Sequence, residues 1–370
     1  MKKRVLDFLV CPACKGHLRL EVFEEYHNSG VSEVSSGLLT CKCGEWYPII
    51  NGVPRMLKAE LKNTIINGYK EFFHKFRASL PPFISNITLT FNDKNSIDKK
   101  QRTIYSFGYE WTEFADYKNE NFREWLAGSP PDSFFSGKVG LEAGCGAGRH
   151  TMTAVSLGAE MFAVDLSNAV DAAYRKNINS PNAHIIQADI YALPFQKSIF
   201  DFAYCLGVIQ HLPDPPSGFL ILSSYVRPNG AFFVNVYAKG RISWPVLKTM
   251  RFFTTHLPNK FTKTLSFAFT LLDYVVIGPY KIFSRIDFVK PVLDFIVWER
   301  TRAYAELDFQ ANYTDWFDRL AAPLDIRYGK EDVLNWYKNA GFSDIMVIPL
   351  RKAFWNGAGK RPFHLDTGEN

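Results

Sequence analysis

The residues with the clearest chemical potential are a carboxylate and three glycines between an apolar segment and a helical one. Glu142 is followed by Gly144, Gly146 and Gly148, and a helical pattern begins at Thr151. Glycines in a strand-to-helix turn permit positive φ and let the backbone approach a ligand closely. The free N–H groups at the start of the helix then point at that ligand. The spacing therefore predicts a binding loop for a small molecule.

Four cysteines near the N-terminus form a second candidate site. Two residues separate Cys11 from Cys14, and one residue separates Cys41 from Cys43. Structural zinc is held by four thiolates in a tetrahedron, and six cysteines without an export signal favour reduced thiols or metal over disulfides. We predict that these four thiols bind Zn²⁺. The second pair is one residue shorter than the usual spacing, and a ribbon that has lost its metal is the alternative.

The glycine spacing distinguishes between two kinds of binding loop. A dinucleotide site requires G-x-G-x-x-G, but Arg149 occupies the third glycine position. The remaining pattern, E-x-G-x-G-x-G, resembles the loop of class I S-adenosylmethionine (SAM) methyltransferases; another doubly wound α/β protein is the alternative. Three further segments that resemble this family follow in order, at residues 161–165, 184–190 and 200–214. The resemblance implies SAM as the methyl donor.

The same resemblance assigns roles to individual residues. Glu142 is expected to orient the methionine amino end, the amides of residues 144–148 to receive the carboxylate, and Asp165 to accept both ribose hydroxyls. Asp189 and Ile190 are expected to flank the adenine. The implied cofactor-binding set is Glu142, Gly144, Cys145, Gly146, Asp165, Leu166, Asp189, Ile190 and Leu206.

The segments that flank the thiols carry a second resemblance. Residues 8–12 precede the first pair and residues 46–57 follow the second. Together, residues 5–58 resemble the small zinc-ribbon protein that activates tRNA and release-factor methyltransferases. The resemblance implies a structural role or an influence on substrate access, and no catalysis. Because a ribbon of this size has a thin core, we expect it to depend on metal for folding.

A chain of 370 residues favours two domains around these sites. We expect an α/β fold: a Rossmann-like, seven-stranded SAM methyltransferase sheet with a small N-terminal zinc ribbon and a helical insertion. The predicted parts are the zinc ribbon (1–58), a helical linker and cap (59–135), the methyltransferase domain (136–350) with its insertion (241–322), and a C-terminal tail (351–370). Residues 343–350 are predicted as the final strand, after a helix that begins at Lys330 and stops at Gly341.

The aromatic segments of the linker and the insertion permit two interpretations each. Residues 105–111 could close over the cofactor, or Tyr109 and Trp111 could pack a helix on the sheet. Residues 215–272 contain seven cations, among them Arg241, and no acid. They could face a membrane or an anionic lipid, or form a solvated basic face. Two helical stripes are predicted there: Val246, Met250, Phe253 and Leu257; and Phe261, Leu265, Phe269, Leu272 and Val276.

The insertion is not expected to span a membrane. Only seventeen residues lie between Lys263 and Lys281, Asp273 is among them, and a span needs ~20 apolar residues.

His211 follows the predicted fourth strand and is the candidate general base, or else part of the pocket wall. The nearby Cys145 and Cys205 are expected to be packing residues. Enzymes that methylate DNA bases or glutamine side chains use an Asn/Asp-Pro-Pro-Tyr/Phe turn after this strand, whereas here residues 207–211 stand in its place. This difference favours a smaller O-, N- or C-methyl acceptor.

The expected function is therefore SAM-dependent methyl transfer to a small-molecule, glycan-linked or lipid-linked acceptor. Two alternatives remain: a tRNA-modifying methyltransferase, and a SAM-binding assembly protein without turnover. A net charge of +6 is too small to indicate nucleic-acid binding by itself. We expect a cytoplasmic protein, with peripheral membrane contact as a possibility, because no segment has the features of a signal peptide.

Overall fold

The computed structural model describes residues 1–28, 31–84, 99–115, 121–239, 244–297, 299–351 and 353–363. Arg241 and the Val246 side chain, both named in the sequence interpretation, lie outside this description. Eleven strands of the described chain form one sheet, in the order β1-β2-β3-β4-β7-β6-β5-β8-β9-β11-β10. The strands are β1 (Leu18–Asn28), β2 (Val31–Cys41), β3 (Trp46–Ile50), β4 (Val53–Met56), β5 (Val139–Ala143), β6 (Glu160–Asp165), β7 (Ala183–Ala188), β8 (Phe200–Leu206), β9 (Val226–Tyr237), β10 (Ser343–Leu350) and β11 (Phe354–Lys360).

Seven of these strands make the doubly wound α/β sheet that the sequence predicts. Strands β5 to β9 run parallel, since β5 pairs in parallel with β6 and β8, β6 with β7, and β8 with β9. Their residues are nearly all buried, as expected for parallel strands covered on both faces. The polar residues that follow β5, β6, β7 and β8 therefore meet at one edge, the carboxyl edge of the sheet.

Residues 343–350 form the predicted strand, β10, but it is not the last one. The chain turns after β10 and adds β11, which lies antiparallel to both β9 and β10. Residues 354–360, assigned to a tail, are thus part of the sheet. The turn chemistry of residues 351–353 does not mark a hairpin strongly, and Gly357 and Gly359 lower the apparent strand propensity of β11. Close packing explains both glycines, because an added Cβ would lie within 2.7 Å of the Tyr337 ring.

The four N-terminal strands extend the predicted seven-stranded sheet to eleven. The join is the parallel pairing of β4 with β7, in which Arg55 lies opposite Gln187 and Met56 opposite Ala188. Arg55 is fully buried there, and its guanidinium bonds to Gln187 (3.2 Å) and Asp171 (2.5 Å). N-terminal apolar side chains belong to the same core cluster as those of β5 and β6. The N-terminal residues therefore share a core with the methyltransferase sheet, and the expected dependence of their folding on metal stays a prediction.

The helices connect these strands and build the insertion. Apart from short 3-10 turns, they are α1 (Lys62–Gly68), α2 (Lys70–Lys75), α3 (Lys99–Glu113), α4 (Phe122–Trp125), α5 (Arg149–Ser156), α6 (Val170–Asn177), α7 (Pro215–Ser223), α8 (Trp244–Thr254), α9 (Asn259–Phe283), α10 (Lys290–Ile296), α11 (Glu299–Glu306), α12 (Phe309–Ala321) and α13 (Lys330–Asn339). Gly341 follows α13 with φ of +74°, the left-handed stop that the sequence predicts. Helices α8 to α12 form the insertion.

Candidate functional site

The four N-terminal thiols meet at two facing turns. In the first turn the Lys15 N–H donates to the Cys11 carbonyl (2.8 Å), and in the second the Gly44 N–H donates to the Cys41 carbonyl (3.0 Å). All four sulfur atoms, those of Cys11, Cys14, Cys41 and Cys43, lie within 4.8 Å of one another. The closest cross-turn pairs are separated by 3.7 Å and 3.4 Å.

These distances provide a test of the predicted metal. A tetrahedral Zn²⁺ with Zn–S bonds of about 2.3 Å places its sulfurs about 3.8 Å apart. The observed separations agree with that geometry, and the short C-x-C spacing does not prevent it, because Gly44 adopts φ of +90° and closes the turn tightly. The cluster could therefore hold zinc with the ligand set that the sequence predicts.

The glycine loop between β5 and α5 has the backbone that its composition predicts. Gly144, Gly146 and Gly148 all have positive φ, from +50° to +82°. A Cβ on Gly144 would lie 2.3 Å from a methyl carbon of Val208, and one on Gly146 would lie 3.1 Å from the Trp111 ring. Larger residues are thus excluded both by conformation and by space. The loop forms one wall of a cleft at the carboxyl edge of the sheet.

Asp165 stands at the end of β6 and faces this cleft. Its Oδ2 accepts the Gly146 N–H (3.0 Å), and its Oδ1 accepts the Ser167 N–H (2.8 Å) and hydroxyl (2.7 Å). The Leu166 N–H is also directed at this carboxylate. Because a carboxylate has about four lone-pair sites, a ligand hydroxyl would take the place of the Ser167 hydroxyl. Burial raises the pKa of Asp165 above its usual value, which the surrounding N–H donors oppose.

The cleft collects eight of the nine residues in the predicted cofactor set. Asp189 directly follows β7 and accepts the Tyr191 N–H (3.0 Å), which fixes its carboxylate beside Ile190. Leu206 ends β8 on the other side of the glycine loop. The eight residues that line the cleft are Gly144, Cys145, Gly146, Asp165, Leu166, Asp189, Ile190 and Leu206.

Glu142 is the member of the set that does not line the cleft. It lies beneath the glycine loop, where its Oε2 accepts the hydroxyl of Thr151 and that of Tyr204 (3.1 Å). Burial raises its pKa to about 7, although both hydroxyls favour the ionised form. These bonds tie β5 to α5 and β8. Its predicted contact with the methionine amino group stays a prediction.

His211 lines the same cleft and lies between the rings of Phe107 and Tyr237, at centroid distances of 5.0 and 5.5 Å. Its Nδ1 is 2.5 Å from the Leu324 carbonyl oxygen. Because a carbonyl only accepts, Nδ1 carries the proton and Nε2 keeps a lone pair in neutral histidine. This tautomer is the one that a general base requires.

A set of acidic residues that line or adjoin the cleft was not predicted from the sequence. Glu110 of α3 lines the cleft while almost fully buried, and its Oε2 has no hydrogen-bond partner among the described residues. Burial and the nearby Asp318 and Asp315 raise the pKa of Glu110 well above its usual range. Asp318 accepts the Tyr237 hydroxyl (2.8 Å), and Asp315 pairs with Arg319. The signal in the sequence was one acid within the aromatic segment 105–111.

The aromatic segment contributes one residue to the cleft and one to helix packing, on α12 rather than on the sheet, and its closure over the cofactor stays a prediction. Trp111 lines the cleft against Gly146, whereas Tyr109 packs on Phe317 with ring centroids 5.6 Å apart. The cleft as a whole encloses about 1770 Å³, more than the roughly 300–1,000 Å³ of a pocket for one drug-sized ligand. It therefore has room for two molecules side by side.

Comparison with known families identifies two domains in the chain. Residues 141–234 match the family model described as a methyltransferase domain, and residues 2–52 match the model of Trm112p-like proteins. The first match covers the glycine loop and the ends of β6, β7 and β8. The second covers all four thiols.

Individual relatives match over shorter stretches. The chain is 25% identical over 124 residues to a ubiquinone biosynthesis O-methyltransferase of Pasteurella multocida, covering 30% of this chain and 51% of the relative. It is 25% identical over 195 residues to phosphoethanolamine N-methyltransferase 2 of Caenorhabditis elegans, covering 50% and 43%. The chain spans from a quarter to about half of the length of curated relatives that it matches.

Solved structures with a similar fold have low sequence identity. Magnesium protoporphyrin IX methyltransferase from Synechocystis, with bound SAH, aligns with a TM-score of 0.38 at 16% identity, over 81% of this chain and 99% of that chain. A complex that contains the Haloferax volcanii Trm112 methyltransferase activator aligns with a TM-score of 0.39 at 12% identity, over 71% and 99%.

Proposed function

We propose that this chain, in which a Trm112p-like domain precedes a methyltransferase domain, transfers a methyl group from SAM to an acceptor bound beside it in the cleft. The observation that carries the proposal is the convergence of eight predicted cofactor residues on one cleft at the carboxyl ends of β5 to β8. The match of residues 141–234 to a methyltransferase domain supports it.

The chain's own residues supply binding and orientation. SAM, when bound, supplies an already activated methyl group, so alignment of the two reactants can contribute roughly 7–11 kcal/mol of the barrier reduction. The amides of the glycine loop suit a carboxylate, and Asp165 and Asp189 suit hydroxyl and amino donors. Trp111 closes the loop side of the cleft. Water is thereby kept from the reacting atoms.

His211 is proposed as the base, if the acceptor atom carries a proton at neutral pH. The Leu324 carbonyl holds the proton on Nδ1 and leaves Nε2 to accept one from the acceptor. Tyr237, bonded to Asp318, lies against the imidazole ring and limits its rotation. An acceptor whose reacting atom is already unprotonated would need only the positioning.

The size and lining of the cleft favour an acceptor larger than a simple metabolite, and we propose a lipid-linked or glycan-linked one. The lining of the cleft contains both cations and acids. The cations are Lys281, Arg285, Lys290, Arg302 and Arg319 of the insertion and Arg327 after it, and the acids include Glu110, Asp315 and Asp318. A mixed polar wall of this kind suits an acceptor with both hydroxyl and anionic groups.

Two measurements test the proposal. Titration calorimetry with SAM and with its demethylated product should detect binding that Asp165→Ala abolishes. Incubation with labelled SAM and, separately, a lipid extract, a polar-metabolite extract and bulk tRNA should label one pool. Label in tRNA would favour the tRNA-modifying alternative, and binding without transfer to any pool would favour an assembly protein. No heat with either ligand would refute the proposal.

A further inference from the structure

Helix α9 exposes most of its large apolar side chains to solvent, unlike a surface helix of a water-soluble protein. The side chains that it buries fully against the protein are Thr262, Ser266, Thr270 and Ile277, and three of these four are small and polar. Ser266 and Thr270 satisfy their hydroxyls within the helix, on carbonyls four residues earlier at 2.7 and 2.8 Å. Eight large apolar side chains of α9 are exposed, most of them on the opposite half of the helix wheel, whereas Leu265 and Phe269 are half-buried. In an ordinary amphipathic helix the apolar stripe faces the core.

The exposed apolar surface continues from α9 through α10. Of the twenty-four exposed large hydrophobic side chains among the described residues, sixteen lie between residues 252 and 296. Phe288 and Phe295 are 81% and 93% exposed. We call the C-terminal part of this surface the apolar face: Leu271, Leu272, Val275, Val276, Ile282, Phe283, Ile286, Phe288, Val292, Phe295 and Ile296. Monomeric soluble proteins rarely expose such a run without a partner.

The charges around the apolar face identify the kind of partner. Residues 244–297 contain seven lysines and arginines against three aspartates. Arg251 pairs with Asp325 and Lys263 with Glu113. The exposed cations beyond these pairs are Lys248, Lys260, Arg285 and Lys290. Two of the aspartates are bonded inside the insertion: Asp273 to the side chains of Asn312 and Trp316, and Asp294 to the Tyr280 hydroxyl. A second copy of the same surface would bring like charges together, whereas anionic lipid headgroups would complement them.

We propose that the apolar face docks into the headgroup layer of a membrane that contains anionic lipid. Helix α9 would then lie in the membrane surface with its apolar half in the acyl boundary and its Thr/Ser half on the protein, as interfacial helices do. Exposed Lys260, near the start of α9, would meet the anionic headgroups.

Length and composition alone would also allow α9 to cross a membrane. Its packing argues against that. Asp273, near the middle of α9, bonds to Asn312 and Trp316 of α12, and the same helix carries the Asp315–Arg319 ion pair. A crossing helix would bring α12 and its charges to membrane depth, at a cost of several kcal/mol for each charge. The sequence-based expectation that the insertion does not span a membrane stays a prediction.

The apolar face adjoins the mouth of the cleft. Exposed Ile282 and Phe283 are next in sequence to Lys281 and Ser284, which line the cleft. A molecule held in the membrane could therefore enter the cleft from the docked side. This step rests on the proposed methyl transfer: if it is correct, the acceptor is an amphiphile with its polar group in the cleft and its chain in the lipid.

Flotation of the full chain with lipid vesicles tests the docking. The vesicles are phosphatidylcholine alone and phosphatidylcholine with 30 mol% phosphatidylglycerol (about one anion in three lipids). The test variant is Phe288→Ser with Phe295→Ser. The matched control makes the same change at Phe83 and Phe363, which are 51% and 66% exposed outside the insertion.

The wild type should float with the anionic vesicles, and the test variant should bind about tenfold more weakly or worse. The control should bind like the wild type. Lys260→Gln should weaken binding to anionic vesicles roughly fivefold and leave neutral vesicles unaffected. Absence of wild-type flotation, or an equal loss in the control, would overturn the proposal. So would a wild-type dimer in sedimentation velocity that the test variant dissociates, without vesicle binding.

SAM calorimetry on the same variants separates the two proposals. The apolar face does not include the donor-binding residues, so the test variant should bind SAM like the wild type. If the test variant loses flotation but binds SAM like the wild type, the substitutions affect docking alone. Flotation without SAM binding in the wild type would refute methyl transfer and leave docking in place.

Discussion

Replacement of Gly144 by alanine is the most direct test of the glycine loop. Gly144 has φ of +82°, and its added Cβ would lie 2.3 and 2.7 Å from the two methyl carbons of Val208. Two separate costs arise. The left-handed backbone costs an alanine about 1–2 kcal/mol relative to glycine, and the displaced Val208 costs about 1–3 kcal/mol, as overpacked cores do.

The two costs can be measured separately because only the second depends on Val208. Gly144→Ala should lower the free energy of unfolding by roughly 2–5 kcal/mol and reduce SAM affinity, since the loop must shift. In the double variant Gly144→Ala, Val208→Ala the added methyl no longer meets the Val208 methyl carbons. The double-mutant cycle should then show a favourable coupling of about 1–3 kcal/mol.

Urea denaturation followed by tryptophan fluorescence gives the unfolding free energies, and calorimetry gives the SAM affinity. Gly68→Ala is the matched control, because Gly68 is helical and an added Cβ there meets nothing within 4 Å. It should be neutral or stabilise by up to about 1 kcal/mol. Equal stability and SAM affinity of Gly144→Ala and the wild type would refute this account of the loop, and so would an absence of coupling to Val208.

The remaining predictions concern single side chains. Asp165→Asn should weaken SAM binding about tenfold to a hundredfold in calorimetry, because hydrogen bonds to a charged acceptor are worth about 1.5–3 kcal/mol; an unchanged affinity would remove Asp165 from the site. Cys41→Ser should lower the zinc content measured by elemental analysis and the melting temperature together, whereas a melting temperature unaffected by chelation would deny the metal a structural role. Burial raises the pKa of Glu142 to about 7 in the folded protein. The protonated carboxyl therefore favours folding, and this contribution is lost as pH rises from about 4.5 to 7. Glu142→Gln should be more stable than the wild type at pH 8, by up to roughly 3 kcal/mol, and the difference should shrink towards pH 5. His211→Asn should lower kcat by about 10²–10⁴-fold without changing SAM affinity if the acceptor must lose a proton, and an unchanged kcat would reduce the histidine to a wall residue.

The amino-acid sequence determined the features that depend on local order. The strand-glycine-helix pattern at residues 139–151 requires positive φ wherever it folds, so it predicts a loop of the kind that the structure contains. Acids directly after apolar strands, such as Asp165 and Asp189, meet at one edge because parallel strands share their carboxyl ends. The thiol pairs are similarly local, since each turn brings its own two sulfurs together. These inferences needed no knowledge of long-range packing.

The tertiary structure decided which strands pair and which side chains are buried. Strand β4 reads as part of a separate ribbon, yet its edge pairs with β7 and makes one eleven-stranded sheet. Glu142 bonds to Thr151 and Tyr204 beneath the loop, and only the fold brings these three side chains together. The helical stripe of α9 is visible in the sequence, but only the fold shows that Phe261 and Leu272 are exposed while Thr262 is buried. Periodicity shows that a helix has two faces and does not show which one packs. That choice depends on contacts between residues far apart in the chain, such as Asp273 with Trp316, which only the folded protein brings together.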